Sequence, residues 1–171
     1  MKKFILAAMV AGVGVLSACG QAKNAENANP QAQSSEQTAQ TTNQNIAERN
    51  KANVLAFYEL AFNQHKLQEA VDKYVGAEYL QHNPSVADGG QAFIDAFSPF
   101  IAEYPQSAVA VKRVAADGDL VWLHVHSQAT SDDRGEAVVD IFRLDENGKI
   151  VEHWDIIQAV PEKTESGRTM F

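Results

Sequence analysis

Two strand-like runs meet at Asn147-Gly148, and the stretch they form, VVDIFRLDENGKIVEHWDIIQ from Val138 to Gln158, limits the possible folds more than any other part of the chain. Asn-Gly is the dipeptide that most favours a two-residue type I′ hairpin. With that loop Glu146 pairs with Lys149, Phe142 falls opposite His153, and Asp140 falls opposite Asp155. Strand side chains alternate with a period of two, so Asp140, Phe142, His153 and Asp155 share a face with Val138, Val151 and Ile157. Two carboxylates and an imidazole on an otherwise apolar face are costly to bury without partners. Loop length carries this reading. A three-residue loop sets Asp140 opposite Trp154 and splits the group, whereas a four-residue loop sets it opposite His153 and keeps it together.

The chain has 171 residues, enough for one domain plus appendages. Its formal charge of −8 becomes −10 (−8 − 2) if Lys2 and Lys3 leave with a leader, which argues against nucleic acid and anionic lipid surfaces as partners. Residues 1–18 carry a basic start, an apolar run from Phe4 to Leu16 and small residues before Cys19, the pattern of a secretory leader. Leu16-Ser17-Ala18-Cys19 is similar to the bacterial lipobox, so Cys19, the sole cysteine, is expected to be lipidated. Gly20, not Asp, follows it and fits outer-membrane sorting, with the protein facing the periplasm. Residues 19–45 hold Gln, Asn, Ala, Ser, Thr and Glu without aromatics, a composition expected to form a disordered tether.

A domain over residues 46–161 follows, and residues 162–171 form a tail. Helical spacing is expected over about residues 48–63 (Val54, Leu55, Phe57, Tyr58, Ala61, Phe62), about 66–74, and from about Gly90 to Tyr104, where Pro99 should kink or divide the helix. Tyr79-Leu80-Gln81-His82-Asn83-Pro84 reads as extended. Ser107–Ala116, Asp119–Ala129, Glu136–Leu144 and Lys149–Val160 read as strands joined by turns at Asp117-Gly118 and Asn147-Gly148 and by a polar loop at 130–135. Helices first and a meander afterwards make an α+β fold, with helices on one face of a curved antiparallel sheet.

Of the five histidines, His82, His124, His126 and His153 fall in segments expected to line a cavity. His124 and His126 point one way together with Trp122. Either they face that cavity, or Val121, Leu123 and Val125 do and the histidines face solvent or a second chain. A His-x-His pair plus another His and a carboxylate also suggests a metal site, although no third ligand comes at a diagnostic spacing. No Gly-x-Ser-x-Gly elbow is present for a serine nucleophile. Burial and mutual repulsion of Asp140 and Asp155 would raise the proton affinity of at least one, as an acid/base near neutral pH needs. Tyr79, Phe142 and Trp154 read as core aromatics or substrate platforms; Gln81, His82 and Gln158 are polar among aliphatics and read as cavity contacts.

Tyr79-Leu80-Gln81-His82-Asn83-Pro84 with Asp88-Gly89, Val139-Asp140-Ile141-Phe142-Arg143, Gly148 to Asp155 and Gln158 together resemble the SnoaL-like group of the nuclear transport factor 2-like superfamily, over about residues 48–161. The closing Gly-Arg-Thr-Met-Phe resembles tails of that group. The resemblance implies a cone-shaped α+β fold, a strongly curved antiparallel sheet wrapped around about three N-terminal helices, with a deep pocket at its open end. It also implies dimers through the sheet, and ring closure by aldol condensation with an aspartate acid/base and neither cofactor nor metal.

The expectation is therefore an acid/base enzyme of aldol-condensation, cyclase or isomerase type, acting on a small hydrophobic carbonyl compound in the cell envelope. Asp140 or Asp155 would take the proton, and His124, His126 or His153 would stabilise the enolate. Two rivals stand beside it: a non-catalytic envelope module binding a small ligand or a protein, and a metal-dependent histidine site.

Overall fold

The computed structural model describes the backbone of residues 30–171 and side chains from Thr38 onward. Helix α1 (Pro30–Tyr58) continues into a π-helical turn (Glu59–Asn63); α2 (Leu67–Tyr74), strand β1 (Val75–Gln81) and α3 (Gly90–Glu103) follow. Four strands complete the chain: β2 (Ala108–Asp117), β3 (Leu120–Gln128), β4 (Glu136–Leu144) and β5 (Ile150–Ala159). The sheet order is β1-β5-β4-β3-β2. The four long strands are antiparallel neighbours, but β1 joins the edge of β5 in parallel, so the sheet is mixed where an antiparallel one was expected. A strand that enters from a helix and must leave for another helix can run that way without a hairpin.

Helices pack on one face. The core joins Val54, Phe57 and Tyr58 of α1 to Phe93 of α3 and to Val121, Leu123, Val125, Val138, Phe142 and Ile150 of the sheet. Helix α1 also clasps both hairpin turns: Asn50, fully buried, donates to the Gly118 carbonyl at 2.9 Å, Arg49 to the Glu146 carbonyl at 2.8 Å, and Asn53 to the Gly148 carbonyl at 2.8 Å.

The β4–β5 turn differs from the type I′ expectation, yet the register survives. Gly148 has φ +77°, while Asn147 is not among the positive-φ residues, so the type I′ requirement of two positive φ angles is not met. Gly148 N–H donates to the Asp145 carbonyl and Asp145 N–H to the Lys149 carbonyl, at 2.9 and 2.8 Å, the bonds of a three-residue loop with Gly in the left-handed position. Asp145 holds the loop from within, its carboxylate accepting from the N–H groups of Asn147 and Lys149 at 2.9 and 2.8 Å. Leu144 therefore pairs with Ile150, but Arg143 pairs with Glu152, because Val151 is bulged out. The two offsets cancel. Asp140 stands opposite Asp155 and Phe142 opposite His153, as the two-residue loop would have set them.

Two further expectations change. Helix α3 runs through Pro99 undivided; Pro99 lies on the exposed side, where water can satisfy the carbonyl that proline cannot serve. Helix α1 reaches back to Pro30 and takes in residues 30–45 of the expected disordered tether. Ala, Gln and Glu are good helix formers, and proline suits a first helical position. The leader, Cys19 and the tether up to residue 29 lie outside the described residues. No helix among the described residues is long and apolar enough to cross a membrane.

Candidate functional site

Between the helices and the inner face of the sheet lies a cavity of about 290 Å³. Its walls are Phe57, Phe62, Phe93 and Phe97 from the helical layer and Val125, Val138 and Phe142 from the sheet. Every second residue of β4 (Glu136, Val138, Asp140, Phe142) and of β5 (His153, Asp155, Ile157) lines it, as period-two alternation requires. The first two-strand reading therefore holds: Asp140, Phe142, His153 and Asp155 share the inner face. Tyr79 and Gln81 reach the same cavity from β1.

Asp140 and His153 are nearly closed off from water, at 3% and 8% exposure. His153 Nε2 lies 3.1 Å from Asp140 Oδ1, and His153 Nδ1 lies 2.6 Å from Gln81 Oε1. Gln81 Oε1 also accepts from the backbone N–H of Asn83 at 3.2 Å, which identifies that atom as the amide oxygen. An oxygen facing Nδ1 requires the imidazole to carry a proton there. Nε2 and Asp140 Oδ1 then face each other, two acceptors unless one proton lies between them.

Asp140 Oδ2, though buried, has no hydrogen-bond partner among the described residues. Buried carboxylate oxygens are normally satisfied, and the group placed to serve this one is the Tyr58 phenol, which interacts with the Asp140 carboxylate. Two phenols stand beside it. Burial first, and then the charge of Asp140, raises the Tyr58 phenol well above its ordinary range; burial, with smaller pushes from Asp140 and Asp155, does the same to Tyr79. Both phenols stay protonated, as donors must. Asp155 is half-buried and accepts from Asn83 Nδ2 at 2.6 Å. Asp140, His153 and Asp155 each offer an atom within 4.8 Å of the others, the one group among the described residues that could hold a metal ion.

Five of the sequence-derived site residues are on the wrong side of the sheet. His124 and His126 alternate with buried Val121, Leu123 and Val125 and so point outward; Arg113 donates to His124 Nδ1 at 3.0 Å, and His126 Nε2 donates to the Arg134 carbonyl at 2.8 Å. Phe171 of the tail covers both rings, with centroids 5.5 and 4.3 Å away. The expected His-x-His metal pair is therefore separated from the carboxylates by the sheet itself. His82 and Trp154 stack on each other outside it at 4.8 Å, and His82 bonds Glu152 at 2.9 Å. Gln158 lies in the same outward row as Trp154 and does not line the cavity. Sequence reasoning missed Tyr58 and Asn83. Tyr58 sat unmarked in an apolar helical stripe, its hydroxyl the only signal; Asn83 was read only as part of the extended 79–84 segment.

Residues 54–153 match the model of the SnoaL-like domain. Solved structures with the same fold include a candidate polyketide cyclase from Acidithiobacillus ferrooxidans, 20% identical with a TM-score of 0.56 over 64% of this chain and 88% of that one. IdmH, a candidate polyketide cyclase from Streptomyces antibioticus, is 18% identical with a TM-score of 0.55 over 64% and 91%. A candidate ketosteroid isomerase from Kribbella flavida is 16% identical with a TM-score of 0.54 over 69% and 84%. None of the curated proteins compared matches the chain.

Proposed function

The chain belongs to the SnoaL-like domain family, and from that footing we propose that it is an acid/base enzyme of cyclase, aldol-condensation or isomerase type acting on a small carbonyl compound. The observation that carries the reading is the buried Asp140–His153 dyad, which borders an aromatic cavity beside the Tyr58 phenol. Asp140 takes the proton α to the carbonyl, and His153 shares the resulting charge through Nε2. Tyr58 or Tyr79 donates to the enolate oxygen, a role the sequence had given to the outward histidines. Asp155 is the second choice of base, its carboxylate held by the neutral Asn83 amide. Names carried by the fold neighbours, cyclase and isomerase, support this class of chemistry by analogy only.

Solvent exchange tests it. Incubation with a panel of cyclic ketones in deuterated water should show enzyme-dependent exchange of α-protons, and Asp140→Asn should cut that exchange by about 10²-fold or more. Unchanged exchange in a folded variant would sink the assignment. The proposal extends to the setting: lipidation at Cys19 in the outer envelope, and pairing of two chains through the outer face, where Val139 and its cross-strand partner Ile156 are 40% and 65% exposed.

A further inference from the structure

His65 is the one non-glycine among the described residues with a positive φ, 57°, an angle that most side chains adopt only at a cost. It sits between the π-helical turn and α2, and its ring reaches Ser107, the residue before β2. His65 Nε2 lies 3.0 Å from the Ser107 carbonyl oxygen and 3.3 Å from Ser107 Oγ. Asn63 of the same turn accepts from the Val109 N–H at 2.9 Å. Turns of π-helix are frequent at functional sites, and here two bonds tie the segment to a wall of the cavity.

A carbonyl oxygen can only accept, so His65 Nε2 carries a proton whatever the charge of the ring. Ser107 Oγ therefore accepts from His65, and its own O–H is directed elsewhere. The backbone of Ser107 is committed as well, its N–H donating to the Tyr104 carbonyl at 2.9 Å. Among the described residues no acceptor meets the hydroxyl hydrogen. Ser107 is 7% exposed and lines the cavity, so what that hydrogen can reach is whatever the cavity holds.

The serine stands well away from the dyad. Val109 pairs with Ser127 and Ser127 with Glu136, which is four residues, about 13 Å along β4, from Asp140. Ser107 precedes Val109 by two residues and so lies beyond that row. Phe62, Phe97, Val125 and Val138 give the same cavity apolar walls.

We infer that Ser107 is a second anchor for the substrate, its hydroxyl donating to an oxygen remote from the reacting carbonyl. The substrate class is then an elongated apolar ketone with an acceptor oxygen at each end. His65 is a positioning residue that fixes the serine. The inference deepens the acid/base reading, and rests on it only in taking the cavity as the substrate site.

Two ketones of one shape test it by calorimetry on the full chain: 4-cyclohexylcyclohexanone and bicyclohexyl-4,4′-dione. The dione should bind at least about tenfold more tightly, about twofold from its symmetry and about fivefold from one net hydrogen bond. Ser107→Ala should erase the fivefold part while the monoketone, with no remote oxygen, keeps its affinity and shows the cavity intact. Should that variant lose the monoketone too, Ser107→Cys, a weak donor, replaces it and should weaken the dione alone. His65→Leu should lower the dione's advantage. His65→Gln, whose amide N–H reaches the place of Nε2, should restore it, a rescue that a merely structural role would not give. A dione no tighter than its symmetry allows overturns the proposal. So does an advantage that persists in the serine variants, or a failure of both ketones to bind at millimolar concentration. Binding needs no turnover, so the two claims separate. Exchange lost in Asp140→Asn without a dione preference leaves only the acid/base reading standing, and a Ser107-dependent preference with exchange unchanged in Asp140→Asn leaves only this one.

Discussion

Gln81 decides where His153 keeps its proton. Its carbonyl oxygen, identified by the Asn83 N–H, holds the Nδ1 proton and so turns the basic nitrogen toward Asp140. Gln81→Leu removes that acceptor. The ¹⁵N shifts of the His153 ring should then show a mixed tautomer population where the parent shows the Nδ1–H form, and unfolding should cost about 1–3 kcal/mol less. Tyr58 makes a second prediction, and its sign follows from its raised pKa. The folded phenol ionises later than the unfolded one, so its contribution to stability is complete below about pH 10 and drains as pH climbs toward the folded value. The advantage of the parent over Tyr58→Phe should therefore shrink above pH 10 in alkaline denaturation curves; an advantage that grows would contradict the burial of the phenol. At this scale the sequence was half legible. Asp140, His153 and Asp155 were found by parity along two strands, but the same parity excluded Trp154 and Gln158, which alternate with them, and could admit only one of Gln81 and His82. His124 and His126 illustrate the other limit: a period of two assigns residues to faces without saying which face is covered.

Helices and strands were easier to foresee than their junctions. The bounds of β4 matched, and β5 differed by a residue at each end, because alternation over nine or ten residues is a strong signal. The turn between them was misjudged, since Asn-Gly also suits a longer loop in which glycine alone takes the left-handed angle. Gly148→Ala measures that demand. With φ +77° and a Cβ that would fall 2.7 Å from Asn53 Nδ2, the variant should lose about 1–3 kcal/mol in urea unfolding. An effect near zero would mean the turn is not shaped as described. The start of α1 was hidden for a different reason. Residues 38–46 are exposed, so no apolar stripe marked them, and only helix propensity spoke for their conformation.

At the scale of the whole molecule, one layer of helices and one mixed sheet enclose the cavity, and the outer face of the sheet is left to other contacts. Part of it is covered by the chain's own end, with Lys112 Nζ 5.5 Å from the Phe171 ring. At the other end, the 16 residues from Pro30 to Asn45 form a helical arm about 24 Å long, which would hold the domain off a membrane as a spacer of set length. The anchoring proposal predicts that Cys19→Ser moves the protein from the membrane to the soluble fraction on cell fractionation, with its folded domain unchanged; retention in the membrane would refute it. The cancelled offsets at Gly148 and Val151 have a last consequence, one of arithmetic. Inside and outside are assigned along β5 by whether the count of residues after Leu144 is odd or even. One residue gained or lost in that interval would present Trp154 to the interior and His153 to solvent, an inverted sheet with its composition hardly altered. Two such changes of opposite sign would be silent. Length variation in this hairpin is thus permitted in compensated pairs and forbidden singly, a rule that a library of short insertions and deletions between Leu144 and Glu152 would expose directly.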